Sequence, residues 1–226
     1  TLVSGDSFGT SVAVDGDLMV IGTPYSDELG TDMGLAYAYE WRRVDWFLIG
    51  TISPPAADDF ENFGTSVAVS GDWIAVGAPA NDDMGTDAGA VHIFQLKGGA
   101  ISFVDTLYDL VPDAQNMFGT SVAMDGSTLV VGAPYADGLA TNEGSASVFV
   151  ESGSSWSADE LLSSPFGSSG ETTGFSVDVS ESCSQGSTIL LGAPGAYGLG
   201  LVHVYYNDGL AWQSGGSWVS QNPATG

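Results

Sequence analysis

Phe8-Gly-Thr-Ser-Val-Ala-Val14 returns in the same chain as Phe63-Gly-Thr-Ser-Val-Ala-Val69 and again as Phe118-Gly-Thr-Ser-Val-Ala-Met124. A looser fourth copy, Thr173-Gly-Phe-Ser-Val-Asp-Val179, keeps the register, so Gly9, Gly64, Gly119 and Gly174 follow one another at intervals of 55 residues. A second landmark trails the first each time: Gly22-Thr-Pro24, Gly77-Ala-Pro79, Gly132-Ala-Pro134 and Gly192-Ala-Pro194. A fixed period of this length means one supersecondary unit, repeated, whose core is completed by its neighbours.

Each unit carries four short strand signals. In the first they are strand A, Phe8 to Val14; strand B, Leu18 to Thr23; strand C, Leu35 to Glu40; and strand D, about Asp45 to Ser53. All are apolar or alternating runs bounded by Gly, Pro, Asp or Ser. Asp15-Gly16, with Ser70-Gly71 and Asp125-Gly126 after it, signals a tight A–B hairpin. Nothing between units reads as a helix. A four-stranded meander cannot bury both faces alone, and stacking such sheets around an axis solves this. Glycine at the start of strand A, with small Ser11, Ala13, Ser66 and Ala68, suits the crowded inner strand. Val12, Val14, Val20 and Ile21 are expected to fill the layers between sheets.

The expected fold is therefore all-β: a single β-propeller domain or segment of four-stranded antiparallel blades. Their approximate bounds are 5–57, 58–112, 113–167 and 168–226. Two arrangements remain open, four blades of a larger ring or a closed four-bladed ring, and the first is favoured.

Charge narrows the function. Against 28 Asp and Glu stand 3 Lys and Arg, a formal net of −25. This excludes tracking of nucleic-acid phosphates, which needs clustered cations, and argues against docking on anionic lipid. It favours cations, cationic partners or a saline medium. No apolar run approaches a membrane span. The single cysteine, Cys183, allows no internal disulfide.

Phe-Gly opening strand A and Gly-Ala-Pro closing strand B resemble FG-GAP repeats, the blades of the integrin α-subunit propeller and of many secreted microbial proteins. The resemblance covers nearly the whole chain. It implies an extracellular or cell-surface binding or adhesion module, usually seven-bladed. The implied partners are a protein or glycan ligand at the cell surface or matrix, with further blades of the same parent chain. In the integrin type, calcium sits in an Asp-rich A–B loop. Here that connection is a bare hairpin, Asp15-Gly16-Asp17 in the first unit, with too few oxygens for an ion that takes six to eight. That site is not carried over. The fourth unit also departs: Thr173 replaces Phe, and five extra residues, Cys183 among them, separate its strands A and B.

The B–C loops and D–A linkers fall on one face of such a fold and gather 14 of the 28 acids. Asp27, Asp32, Asp82, Asp83, Asp87, Asp137 and Glu143 are the candidate ligands for Ca²⁺, offered with Gly and Asn bends and free carbonyls. Tyr25, Glu28, Asn81, Tyr135, Asn142, Asp58, Asp59 and Glu61 complete the candidate ligand rim. The alternative is a solvated acidic surface whose Asp, Asn and Gly simply make turns. The fourth B–C loop, Gly195 to Leu199, is shorter and has no acid. His92 and His203 share one place in strand C and are expected on a strand surface. Trp46, Trp156 and Trp212 align and are expected to cover the outer blade edges.

No nucleophile elbow or phosphate loop leads into a helix, and Asp82-Asp83 lacks a partner of contrasting environment. The chain thus reads as a non-catalytic binding module that requires no cofactor, with Ca²⁺ as the candidate ion. Two other readings stay open: an ancillary domain of a secreted enzyme whose catalytic part lies elsewhere, and a structural spacer of a surface assembly.

Overall fold

The computed structural model describes residues 5–56, 59–182 and 186–220. It contains four antiparallel sheets, each with its strands in chain order. The first blade is β1 (Ser11–Asp15), β2 (Leu18–Thr23), β3 (Leu35–Trp41) and β4 (Trp46–Ile52). The second is β5 (Ser66–Ser70), β6 (Trp73–Ala78), β7 (Ala90–Lys97) and β8 (Ala100–Leu107). The third is β9 (Ser121–Asp125), β10 (Thr128–Ala133), β11 (Ser145–Ser152) and β12 (Ser155–Ser163). The fourth is β13 (Ser176–Ser182), β14 (Gly186–Ala193), β15 (Leu201–Asn207) and β16 (Trp212–Trp218). The predicted strand B matches residue for residue. Strand A starts later than expected, because Gly9 and its counterparts take positive φ values of 85° to 94° and stand just before the ladder. Gly16, Gly71 and Gly126, at φ 54°, 55° and 57°, turn the A–B hairpins, one residue beyond the Asp or Ser that pairs. A bulge falls at one place in all four C–D pairings, between Ala38/Tyr39, Ile93/Phe94, Val148/Phe149 and Val204/Tyr205. It adds twist at the outer strand of every blade.

The repeated motifs are the two halves of a joint between neighbouring blades. Ser11 Oγ donates to the Gly64 carbonyl at 2.8 Å, Ser66 Oγ to that of Gly119 at 2.7 Å, and Ser121 Oγ to that of Gly174 at 2.8 Å. The glycine of the second landmark lets that carbonyl in. A Cβ on Gly22, Gly77 or Gly132 would lie 2.0, 2.1 or 1.9 Å from the carbonyl oxygen of Gly64, Gly119 or Gly174. Parallel bridges Gly34–Phe63, Gly89–Phe118 and Gly144–Thr173 extend the joint. At the opposite face the A–B hairpins hold one another. Gly71 N–H donates to Asp15 Oδ2 at 2.7 Å, Gly126 N–H to Ser70 Oγ at 3.0 Å, and Glu181 N–H to Asp125 Oδ2 at 2.8 Å. The hairpin acids therefore tie blades together.

Apolar layers fill the three inter-blade spaces, with Phe63 and Phe118 fully buried in two of them. β1, β5, β9 and β13 adjoin in series, but β13 and β1 do not pack together, so the described sheets form an open arc. This corrects one expectation. Val12 and Val14 fill no layer: they are 68% and 63% exposed, where their counterparts Val67 and Val69 are 7%. Among the described residues no sheet covers that face of the first blade, so its valines meet solvent. The edge tryptophans behave as expected in kind. Trp156 packs edge-on against Trp73 at 5.7 Å, Trp46 packs on Trp41 at 5.6 Å, and Trp212 Nε1 donates to Asp159 at 3.0 Å.

Candidate functional site

The first three B–C loops share one construction. Oδ1 of Asp27, Asp82 and Asp137 accepts the N–H of the residue five positions on, at 2.8, 2.8 and 2.7 Å. Those residues, Asp32, Asp87 and Asn142, take φ values of 46°, 51° and 51°, a left-handed bend that Asp and Asn tolerate better than most side chains. The linker into the next blade then closes on each loop: Phe60 N–H on Thr31 O, Gln115 N–H on Thr86 O, Gly170 N–H on Thr141 O. Asp59 joins in, its Oδ1 accepting Thr31 N–H at 2.8 Å. The loops are thus rigid shelves whose acids are partly consumed in making the turns.

The predicted rim divides in two. Tyr25, Asp27, Glu28, Asp59, Asp82, Asp83, Tyr135, Asp137 and Asn142 are exposed, and Asp32 and Asp87 are half-buried. Asn81, Glu61 and Glu143 are buried, which corrects their place in the rim. Asn81 Nδ2 donates to Glu61 Oε1 at 3.0 Å, and Glu143 Oε2 accepts the N–H groups of Leu139 and Ala140 at 2.7 and 3.2 Å. These three support the shelves from beneath. Asp58 lies outside the described residues. The seven candidate calcium ligands are spread over three loops. Among the described residues no three His, Cys, Asp or Glu side chains converge as a metal site.

Two recesses open on this face. In the second blade Asp59, Glu61, Ala80, Asp82 and Asp83 line an open hollow of about 340 Å³. Tyr108 at its side donates to Asp83 Oδ2 at 2.8 Å, and burial with this bond raises the phenol to about 12. In the third blade a cavity of about 240 Å³ has apolar walls, including Val111, Leu139 and Leu161, with Asp109 and Glu143 among its carboxylates. Asp109 accepts from Ser147 Oγ at 2.8 Å and Asn116 Nδ2 at 3.1 Å. Burial raises its carboxyl against those hydrogen bonds. Sequence reading passed over Asp109 because it stands in an ordinary-looking linker, without a counterpart in the other units.

The histidines are buried, which corrects the expected strand-surface role. His92 Nδ1 meets Thr106 Oγ1 at 3.0 Å, and His203 Nδ1 meets Ser217 Oγ at 2.7 Å. Desolvation lowers both, His92 to about 4. Each sits on the second strand from the blade's outer edge, facing an inter-blade layer rather than water.

Four-stranded meanders joined through their inner strands define this chain as a β-propeller-type repeat protein. The FG-GAP repeat profile matches residues 3–39, 46–94 and 107–149, more than half of the chain, and the chain belongs to that family. Human integrin alpha-11 is 32% identical over 111 residues, which is 43% of this chain and 9% of the integrin. The chain therefore spans under a tenth of the length of that relative. A solved chain from Bacteroides uniformis, described as a 6-phosphogluconolactonase, superposes with a TM-score of 0.62 at 11% identity. The overlap takes in 96% of this chain and 58% of that one, and at this identity it speaks for the fold alone.

Proposed function

We propose that the chain is a non-catalytic binding module of an extracellular or cell-surface protein, and that its ligand meets the rim of B–C loops and D–A linkers. The observation that carries this reading is the second-blade recess. Asp59, Asp82 and Asp83 are exposed around it on hydrogen-bonded shelves, with buried Glu61 in its wall. Rigid loops present these charges without an ordering cost at binding. The chain's own cations stand elsewhere: Arg42 and Arg43 follow β3, and Lys97 ends β7, at C–D turns. A ligand with a cationic group is the complement, at the cell surface or in the matrix. Calcium enters this reading only as an ion shared with the partner, which completes a coordination shell that the loops alone do not assemble.

Binding to an immobilised panel of matrix proteins and glycans tests this. The variants are Asp59→Asn/Asp82→Asn/Asp83→Asn and a matched Asp17→Asn/Asp45→Asn/Asp72→Asn on the opposite face, each with and without chelator. The expected result is loss of a captured ligand in the first variant alone, by tenfold or more. Equal losses in both variants would reduce the effect to bulk charge. No capture by the unaltered protein would remove the reading.

A further inference from the structure

The third-blade cavity contains two acids that the other units do without. Glu143 stands where the repeat places Met33 and Ala88, both buried and apolar, and Asp109 stands where it places Pro54 and Ser164. A blade of this kind therefore folds without either carboxylate. Both are buried all the same, Glu143 at 1% exposure and Asp109 at 6%, and both line the same cavity of about 240 Å³. Val111, Ala136, Leu139 and Leu161 give it apolar walls, and exposed Val111 and Leu139 leave it open to solvent.

Neither acid is neutralised by the chain. Asp109 Oδ1 accepts from Ser147 Oγ, and its Oδ2 accepts from Asn116 Nδ2. Glu143 Oε2 accepts the N–H groups of Leu139 and Ala140, while its Oε1 accepts no hydrogen bond among the described residues. Gly138 keeps room for this carboxylate, since a Cβ there would lie 2.8 Å from Oε2. The three basic side chains, Arg42, Arg43 and Lys97, all belong to the first two blades. Burial raises the Asp109 carboxyl, the usual response of an acid that has lost water and gained no counter-charge. Two carboxylates in an apolar hollow are costly unless a cation completes them.

The walls and the free acceptors select the cation. These acids do not converge as a metal site among the described residues, and a bare ion would leave the apolar walls without a partner. No aromatic ring lines the cavity, so a quaternary ammonium would miss the π-faces that recognise it. A guanidinium grips a carboxylate by both oxygens at once. Here each carboxylate already has at least one oxygen committed to the chain. A primary ammonium on an alkyl stem meets every condition, with three donors for separate oxygens and hydrocarbon for the walls. We propose that this cavity binds an alkylammonium group between Glu143 and Asp109, carried either by a lysine side chain of a protein partner or by a free aliphatic amine. This deepens the proposed function, on which only the lysine source rests.

The test is a titration of isotopically labelled protein with n-butylammonium, N-acetyl-lysine methylamide and tetramethylammonium chlorides at constant total chloride, followed by NMR. Saturable shifts of the Leu139 and Ala140 N–H and Leu161 methyl resonances are expected with the two primary amines and not with tetramethylammonium. Tighter binding of the lysine derivative assigns the group to a protein partner; tighter binding of butylammonium assigns it to a free amine. Affinity is expected to fall about tenfold or more in Glu143→Gln and in Asp109→Asn, and to hold in Asp17→Asn/Asp72→Asn on the opposite face. Should the cavity variants fail to fold, the unaltered protein decides, through nuclear Overhauser contacts from the butyl chain to the Val111 and Leu161 methyls. Absence of saturable shifts, equal binding of tetramethylammonium, or affinity intact in both cavity variants overturns the proposal. The titration contains no captured partner and the capture variants lie in the second blade, so this proposal and the rim reading fail separately.

Discussion

The second and fourth blades carry the same strands and the same buried histidine, yet they are held differently. The second is joined on both sides: Gly64 receives Ser11 from the blade before it, and Ser66 reaches Gly119 in the blade after it. The fourth is joined on one side only, through Gly174. Its Ser176 is exposed, and a Cβ on Gly192 would meet Ser176 Oγ rather than a neighbour's carbonyl. The second has a buried phenylalanine at its opening and an acid-lined recess; the fourth has Thr173 and a loop reduced to one turn of 3₁₀ helix, Ala196–Gly198. Shared residues thus make joints, and the chemistry that distinguishes one blade from another lies where the copies diverge.

The sharpest way to break the comparison is at the landmark glycines. Gly77→Ala brings a Cβ 2.1 Å from a backbone oxygen that cannot swing away, so a loss of about 4 kcal/mol, or failure to fold, is expected. Gly192→Ala meets only a rotatable hydroxyl and is expected to cost under about 1 kcal/mol in the same urea titration. Phe118→Ala follows, at about 3–4 kcal/mol for a fully buried ring. Phe8→Ala, half-exposed at the uncovered end, is expected to change the midpoint little.

Next comes acid. His92 is lowered by burial to about 4, so below the unfolded imidazole value near 6.5 the unfolded chain takes up the proton first. This contribution is whole above pH 6.5 and drains away as pH falls toward 4, by roughly 3 kcal/mol at most. Stability measured at pH 7 and pH 4.5 is expected to differ less in His92→Gln than in the unaltered protein; an identical difference would exclude His92 as a source. The smallest contrast is between the serines. Ser66→Ala is expected to cost about 1–2 kcal/mol, because the Gly119 carbonyl stays buried without its donor. Ser176→Ala is expected to be near neutral.

Much of this architecture was legible because repetition prints the joint three times over. The strand order, hairpins and crowded glycines followed from Phe-Gly and Gly-Ala-Pro at fixed spacing. The loop acids were legible as a group but not in their duties. Asp27, Asp82 and Asp137 look like free ligands until the backbone N–H groups they accept are seen. Asn81, Glu61 and Glu143 read as surface because polar residues in loops usually are, whereas here the linkers fold over them. Phe166 and His203 stand 6.1 Å apart across 37 positions of sequence. Only the path from linker to third strand brings them together, and local pattern holds no record of it.

The joint also bears on what happens when the molecule is pulled. Each serine-to-carbonyl contact recurs from blade to blade, so tension drawn along the arc passes through like couplings in series. Such an array yields first at its least reinforced member. The contact between the third and fourth blades lacks the phenylalanine wedge that backs the other two, and is reinforced instead at the opposite face, where Glu181 accepts from Ser127 N–H and from the Ser127 and Thr128 hydroxyls, so the load there falls on a charged clasp that acid or salt would loosen.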